Sequence, residues 1–248
     1  MNKALTTLLL AVLLLAIPGC ERTPAVVAQA DPPVEGDASA EYLALHAALG
    51  DDLLARVSEA RGNAGPELSR DLQANKDLID RLAYATRMPC VWDVPEEPDP
   101  DTTLPHLSKV RALAYTLNVD ARRLAAEGDG DGASRRVAGL ARLARHTADG
   151  GADSIIEWLL GNAILLLSAE AAIDLVNDFS DEQRGRVLAE LLAVDADDPY
   201  AFEAKLNLHR DLMAQANLSP ADENNLRAAL GKTSDVLRRA ISTLKDSR

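Results

Sequence analysis

The chain has 248 residues, of which 47% are hydrophobic and 26% charged, and its 39 acidic against 26 basic side chains give a formal charge of −13. A surface of that sign repels phosphate backbones, which proteins grip with clustered Lys and Arg, and 3% aromatic residues supply too few platforms for stacking single strands. Nucleic acid is therefore excluded as a partner, while the length is ample for a core that needs neither disulfide nor metal.

At the N-terminus, Lys3 precedes an apolar run from Ala4 to Ile17, and the segment closes on Leu15-Ala16-Ile17-Pro18-Gly19-Cys20. The run is shorter than the ~18 to 20 apolar residues that span a bilayer. A positive start, a short apolar core and a small residue before cysteine resemble the signal of bacterial lipoproteins. In that family a peptidase cuts before the cysteine and diacylglycerol is attached to its sulfur. The resemblance thus implies removal of residues 1–19, a lipid on Cys20, and a mature charge of −14, because the lost segment holds one lysine and no acid. Glu21 stands where the inner-membrane retention signal usually has Asp, which implies an outer membrane facing the periplasm. Ala28-Gln29-Ala30 before Asp31 offers a second, ordinary signal-peptidase site, far beyond the apolar core. Residues 20–40, with Pro24, Pro32, Pro33 and Gly36 among scattered acids, read as a disordered tether with a reach of roughly 25 Å.

Residues 41–248 read as one all-α domain, since apolar residues recur at three- and four-residue steps and nowhere alternate. A first helix is expected from about Ala40 to Arg61, with Tyr42, Leu45, Leu49, Leu53 and Val57 on one stripe. After Gly62 and Gly65, Pro66 opens a second, carrying Leu68, Leu72, Ile79, Leu82 and Thr86. Met88–Thr103 is a proline-rich loop by composition. The third helix spans Pro105–Glu127, with Leu107, Val110, Ala114, Leu117, Ala121 and Leu124, and the fourth follows a turn at Gly128–Gly132 and runs to His146. The fifth, with Ile155, Ile156, Leu159, Leu160 and Ile164 to Leu167, is apolar around almost its whole circumference, which places it at the centre of the core. Ser154 and Glu157, then Ser180 and Gln183, have the spacing of capping boxes. Asp198-Pro199 opens a seventh helix with Phe202, Leu206 and Met213, and Ser219-Pro220 an eighth with Leu226, Leu230, Leu237, Ile241 and Leu244, in which Gly231 is a candidate kink.

Eight helices joined mostly by short turns make four antiparallel hairpins, either an irregular bundle or a stacked α-solenoid. From Leu117 to Arg145, the small Ala121, Leu124 three later, Gly128 at the turn and Ala133 five beyond are similar to a tetratricopeptide repeat. The stretch from Cys90 through Leu104-Pro105-His106 to Ala148 resembles uncharacterised helical bacterial envelope proteins, a likeness that implies no activity.

Candidate chemistry is sparse. Cys90, in Pro89-Cys90-Val91-Trp92, is a buried small hydrophobe or, with His106 brought beside it, a nucleophile, and acids and apolar groups around it disfavour the thiolate. His46, His146 and His209 are isolated. Asp129-Gly130-Asp131-Gly132 begins like a calcium loop and lacks the acid that would close it. No catalytic, metal or cofactor residue is assigned. The expected function is a lipid-anchored, non-catalytic scaffold that binds a protein partner; an enzyme or small-ligand carrier using the Cys90/His106 region is the alternative.

Overall fold

The structure is a computed structural model, and it describes residues 26–60, 62–92, 104–149, 155–196, 199–201 and 220–246. Among these, nine α-helices and no strands pack as a bundle: α1 (Ala38–Leu49), α2 (Asp51–Glu59), α3 (Pro66–Ala74), α4 (Lys76–Ala85), α5 (Pro105–Ala126), α6 (Gly130–Asp149), α7 (Ile155–Leu175), α8 (Asp181–Leu192) and α9 (Pro220–Asp246). Cys20, Ser154, the Met88–Thr103 loop from residue 93 and the helix expected around Phe202 to Met213 lie outside the described residues.

The stripes of the first two expected helices, from Tyr42 to Val57 and from Leu68 to Leu82, are buried, but both helices divide. Gly50, at φ +77°, splits the first into α1 and α2, because that left-handed backbone is reached freely only without a Cβ. Asn75 splits the second into α3 and α4, its side-chain amide donating to the Asp71 carbonyl at 2.9 Å, a local bond of the kind by which Asn competes with helix continuation. Elsewhere the local rules hold. Pro66 and Pro105 open their helices. Ser180 and Gln183 form a reciprocal capping box, with Gln183 N–H reaching Ser180 Oγ at 3.4 Å and Ser180 N–H reaching Gln183 Oε1 at 2.8 Å. The eighth expected helix, α9, runs unbroken through Gly231.

The central helix is α6, not α7. Most of α6 is buried, as α5, α7 and α8 all pack on it, whereas Ile156 at the start of α7 is 54% exposed and Leu159, Leu160, Leu166 and Leu167 are half-buried. Small residues explain the exchange, since an Ala- and Gly-rich helix lets three neighbours approach at once. Gly161 of α7 sits so close that a Cβ there would lie 2.7 Å from Ala148 Cβ and 2.8 Å from the Ala144 carbonyl. α7 is long and apolar enough to cross a membrane, yet more than half of it is buried within the fold, and its apolar surface serves the bundle.

α6, α7, α9 and α8 form a closed ring in which each packs on the next, while α7 and α8, though consecutive, do not pair as a hairpin. α1 to α4 cover the outer face of α5, with α4 also reaching α6. The architecture is thus a closed bundle, not an open stack. Residues 26–37 also differ from expectation. Instead of hanging free as a tether, they lie along the bundle as an extended strap, with Gln29 N–H donating to the Gly185 carbonyl at 3.0 Å and Val34 N–H to the Arg87 carbonyl at 3.1 Å. The apolar pattern is too thin to signal this docking, which rests on main-chain bonds and a single carboxylate.

Candidate functional site

Cys90 and His106 do not form a dyad. His106, on the first turn of α5, turns Nε2 toward Glu157 Oε1 at 2.9 Å and stacks its ring on Trp92 with centroids 4.7 Å apart. Trp92 packs against Tyr42 and donates its indole N–H to the His146 carbonyl at 2.9 Å. Tyr42 Oη lies 2.8 Å from His146 Nδ1. Burial first, then the nearby Arg145 and Arg142, lowers the His146 pKa to about 4, so the neutral ring accepts the phenolic proton. Burial, reinforced by Asp37, pushes the Cys90 thiol up to about 12; it is the opposite of an activated nucleophile.

The cluster ties Trp92 to α1, to the first turn of α5 and to α6. A histidine against a carboxylate has the composition of an acid–base pair, and Glu157, 1% exposed, leaves Oε2 without a hydrogen-bond partner. However, Tyr42, Cys90, Trp92, His106 and Glu157 line neither the arginine-rich cleft described next nor the smaller ones beside Tyr200 and Tyr115. Of the other sequence candidates, His209 lies outside the described residues, and the Asp129–Gly132 turn is engaged within the fold. Asp129 caps α6 through Gly132 N–H at 2.8 Å, and Asp131 pairs with Arg135 and Arg186; no group of three or more metal-ligating side chains occurs among the described residues.

The feature that sequence reading missed is a surface cleft of about 610 Å³ lined by Arg81, Arg87, Arg135, Arg136, Arg142 and Arg186 against only Asp31 and Asp80. Three helices and the strap, through Asp31, build it. α4 contributes Arg81, the turn that follows it Arg87, α6 the next three, and α8 Arg186. Arg136 is fixed from below by Asp120, which is wholly buried and bonded to Arg136 Nε at 2.9 Å and to Arg123 Nε and Nη2 at 2.9 and 2.7 Å. Glu190 holds Arg142 at 2.7 Å and Arg145 at 2.6 Å. At Asp80, burial raises the carboxyl pKa, and Lys76 and Arg136 together outweigh it and hold the group below its ordinary value.

Two arginines remain largely in solvent, Arg81 at 59% and Arg135 at 56% side-chain exposure. The cleft therefore has a buried floor of paired guanidinium groups and an exposed rim, where Arg81 pairs with Glu41 and Arg135 with Asp131, an arrangement suited to planar, bidentate recognition of carboxylates or phosphates. A signal for it existed in α6, where Arg135, Arg136, Arg142 and Arg145 recur without a single lysine inside an acidic chain. No family model, no curated protein and no solved structure matches the chain.

Proposed function

We propose that this chain is a lipid-anchored protein of the bacterial envelope, acylated on Cys20 and held at the outer membrane, whose helical domain binds a protein partner and catalyses no reaction. The reading rests above all on one observation: a strongly acidic chain gathers six arginines around one open cleft. Cationic side chains collected against the overall charge favour an anionic partner by complementarity and steering. The raised pKa of Cys90 and the commitment of His106 to Glu157 leave the alternative enzymatic reading without an activated nucleophile.

The test has two parts. Mass spectrometry of the natively processed protein is expected to find a diacylglyceryl Cys20 as its first residue. Photo-crosslinking in intact cells from positions 81 and 135 is expected to give a defined adduct that disappears when neighbouring Arg87 is changed to Glu. Equal adducts from exposed position 156 in α7, a helix that contributes nothing to the cleft, would refute the cleft as the binding surface.

A further inference from the structure

The strap shows what kind of partner fits. We infer that the arginine cleft receives an extended acidic peptide segment, and that residues 26–37 occupy it as the chain's own exchangeable ligand; the inference rests on the cleft being the partner site. Asp31 reaches Arg186 Nε at 3.1 Å and Arg142 Nη1 at 3.6 Å. The main chain on both sides is read as a peptide is read. Gln29 N–H donates to the Gly185 carbonyl at 3.0 Å, Arg87 Nε donates to the Pro32 carbonyl at 2.7 Å, and Val34 N–H donates to the Arg87 carbonyl at 3.1 Å.

Gly185 carries an independent mark of this docking. It lies inside α8, where glycine is less favourable than alanine by about 1 kcal/mol, and a Cβ there would lie 2.2 Å from the Val27 carbonyl oxygen. The glycine makes room for the strap.

The strap is nevertheless held weakly. Val27 is 77% exposed, and only Val26, Asp31 and Val34 of residues 26–37 are even half-buried. Few apolar contacts and solvent-exposed backbone bonds put a segment at the low end of local stability. The cleft still has open space with the strap in place, beside the exposed Arg81 and Arg135. A partner segment with the strap's chemistry, an acid followed by prolines in extended conformation, would compete for the same guanidinium groups and carbonyls. Its docking would free the N-terminal segment.

The experiment uses the natively processed full chain and a synthetic peptide of residues 30–37, which keeps Asp31 and the Pro32 carbonyl and omits Val27. Its affinity is measured for the unaltered chain, for D31N and for G185A. D31N removes the strap's carboxylate, and G185A drives a methyl into Val27 while leaving every arginine intact. A strap closed nine times in ten weakens a competitor about tenfold, so with that occupancy both variants are expected to bind the peptide more tightly by up to about tenfold. Hydrogen exchange at residues 26–34 is expected to quicken in both.

Equal affinity in all three chains would overturn the strap as a competitor and leave the cleft standing as a peptide site. No binding in any chain would remove the partner reading with it. Tighter binding of inorganic phosphate in the variants, without any gain for the peptide, would overturn the peptide in favour of a small-anion pocket.

Discussion

Asp120 holds two buried arginines at once, and that makes it the residue on which the floor of the cleft most depends. Replacing it with Asn keeps the shape and removes the charge, leaving Arg123 with only the half-exposed Glu127 and Arg136 with only the half-exposed Asp80 as carboxylate partners. Deleting one partner of a buried pair costs about 3–5 kcal/mol when the other is left alone; because each arginine keeps one outer carboxylate, D120N is expected to lose less than that, and measurably, in chemical denaturation. His146 gives a second expectation. Its native pKa of about 4 lies below the ordinary 6.5, so the unfolded chain takes up the proton first as pH falls. Stability is then complete above pH 6.5 and declines toward pH 4, by up to about 3 kcal/mol. Denaturation midpoints measured across that window should show the decline in the unaltered chain and a flatter profile in H146Q. At this scale the sequence was partly legible. Cys90 could be read as inert because its neighbours are acidic and apolar, but Glu157 stands 51 positions from His106, and no local rule joins them. The cleft was hidden for the same reason, since Arg81, Arg87, the arginines of α6 and Arg186 are brought to one place only by the fold.

Between elements, α6 and α7 approach closely at Gly161. A methyl group there would meet Ala148 and the backbone of Ala144 below 3 Å, and neither a carbonyl oxygen nor a helical Cβ can swing aside. The helices must separate. Overpacking of this kind costs roughly 1–3 kcal/mol, which outweighs the better helix propensity of alanine, so G161A should be less stable than the parent by thermal or chemical unfolding. G231A is the contrast. Open space surrounds that glycine within a continuous helix, and the propensity gain of up to about 1 kcal/mol should appear as stabilisation. Helix existence was legible from three- and four-residue periodicity, and helix starts from Pro66, Pro105 and Ser180. The breaks at Gly50 and Asn75 were not, because the apolar stripe runs straight through both. α7 was misjudged as central because periodicity measures how apolar a helix is, whereas centrality also requires small side chains.

At the scale of the molecule, what distinguishes this fold from a stacked array is closure. α9 seals the ring by packing on both α7 and α8, with Leu237, Ala240 and Leu244 wholly buried. Sequence gives no account of this, because the helices that meet across the ring are not chain neighbours and hairpin logic pairs only those that are. The two architectures respond differently to truncation. In an open stack each repeat depends only on its neighbours, and removing the last helix would leave the transition of the remainder largely intact. In a closed bundle the same cut exposes the facing sides of α7 and α8 together and weakens the burial around α6. A chain ending at Ala201 is therefore expected to lose its sharp thermal transition altogether, with helical far-ultraviolet dichroism persisting and a hydrophobic dye binding to the opened core. A truncated chain that still melted cooperatively near the parent temperature would show that α9 is an appendage and that the load of the fold is carried by α1 to α8 alone.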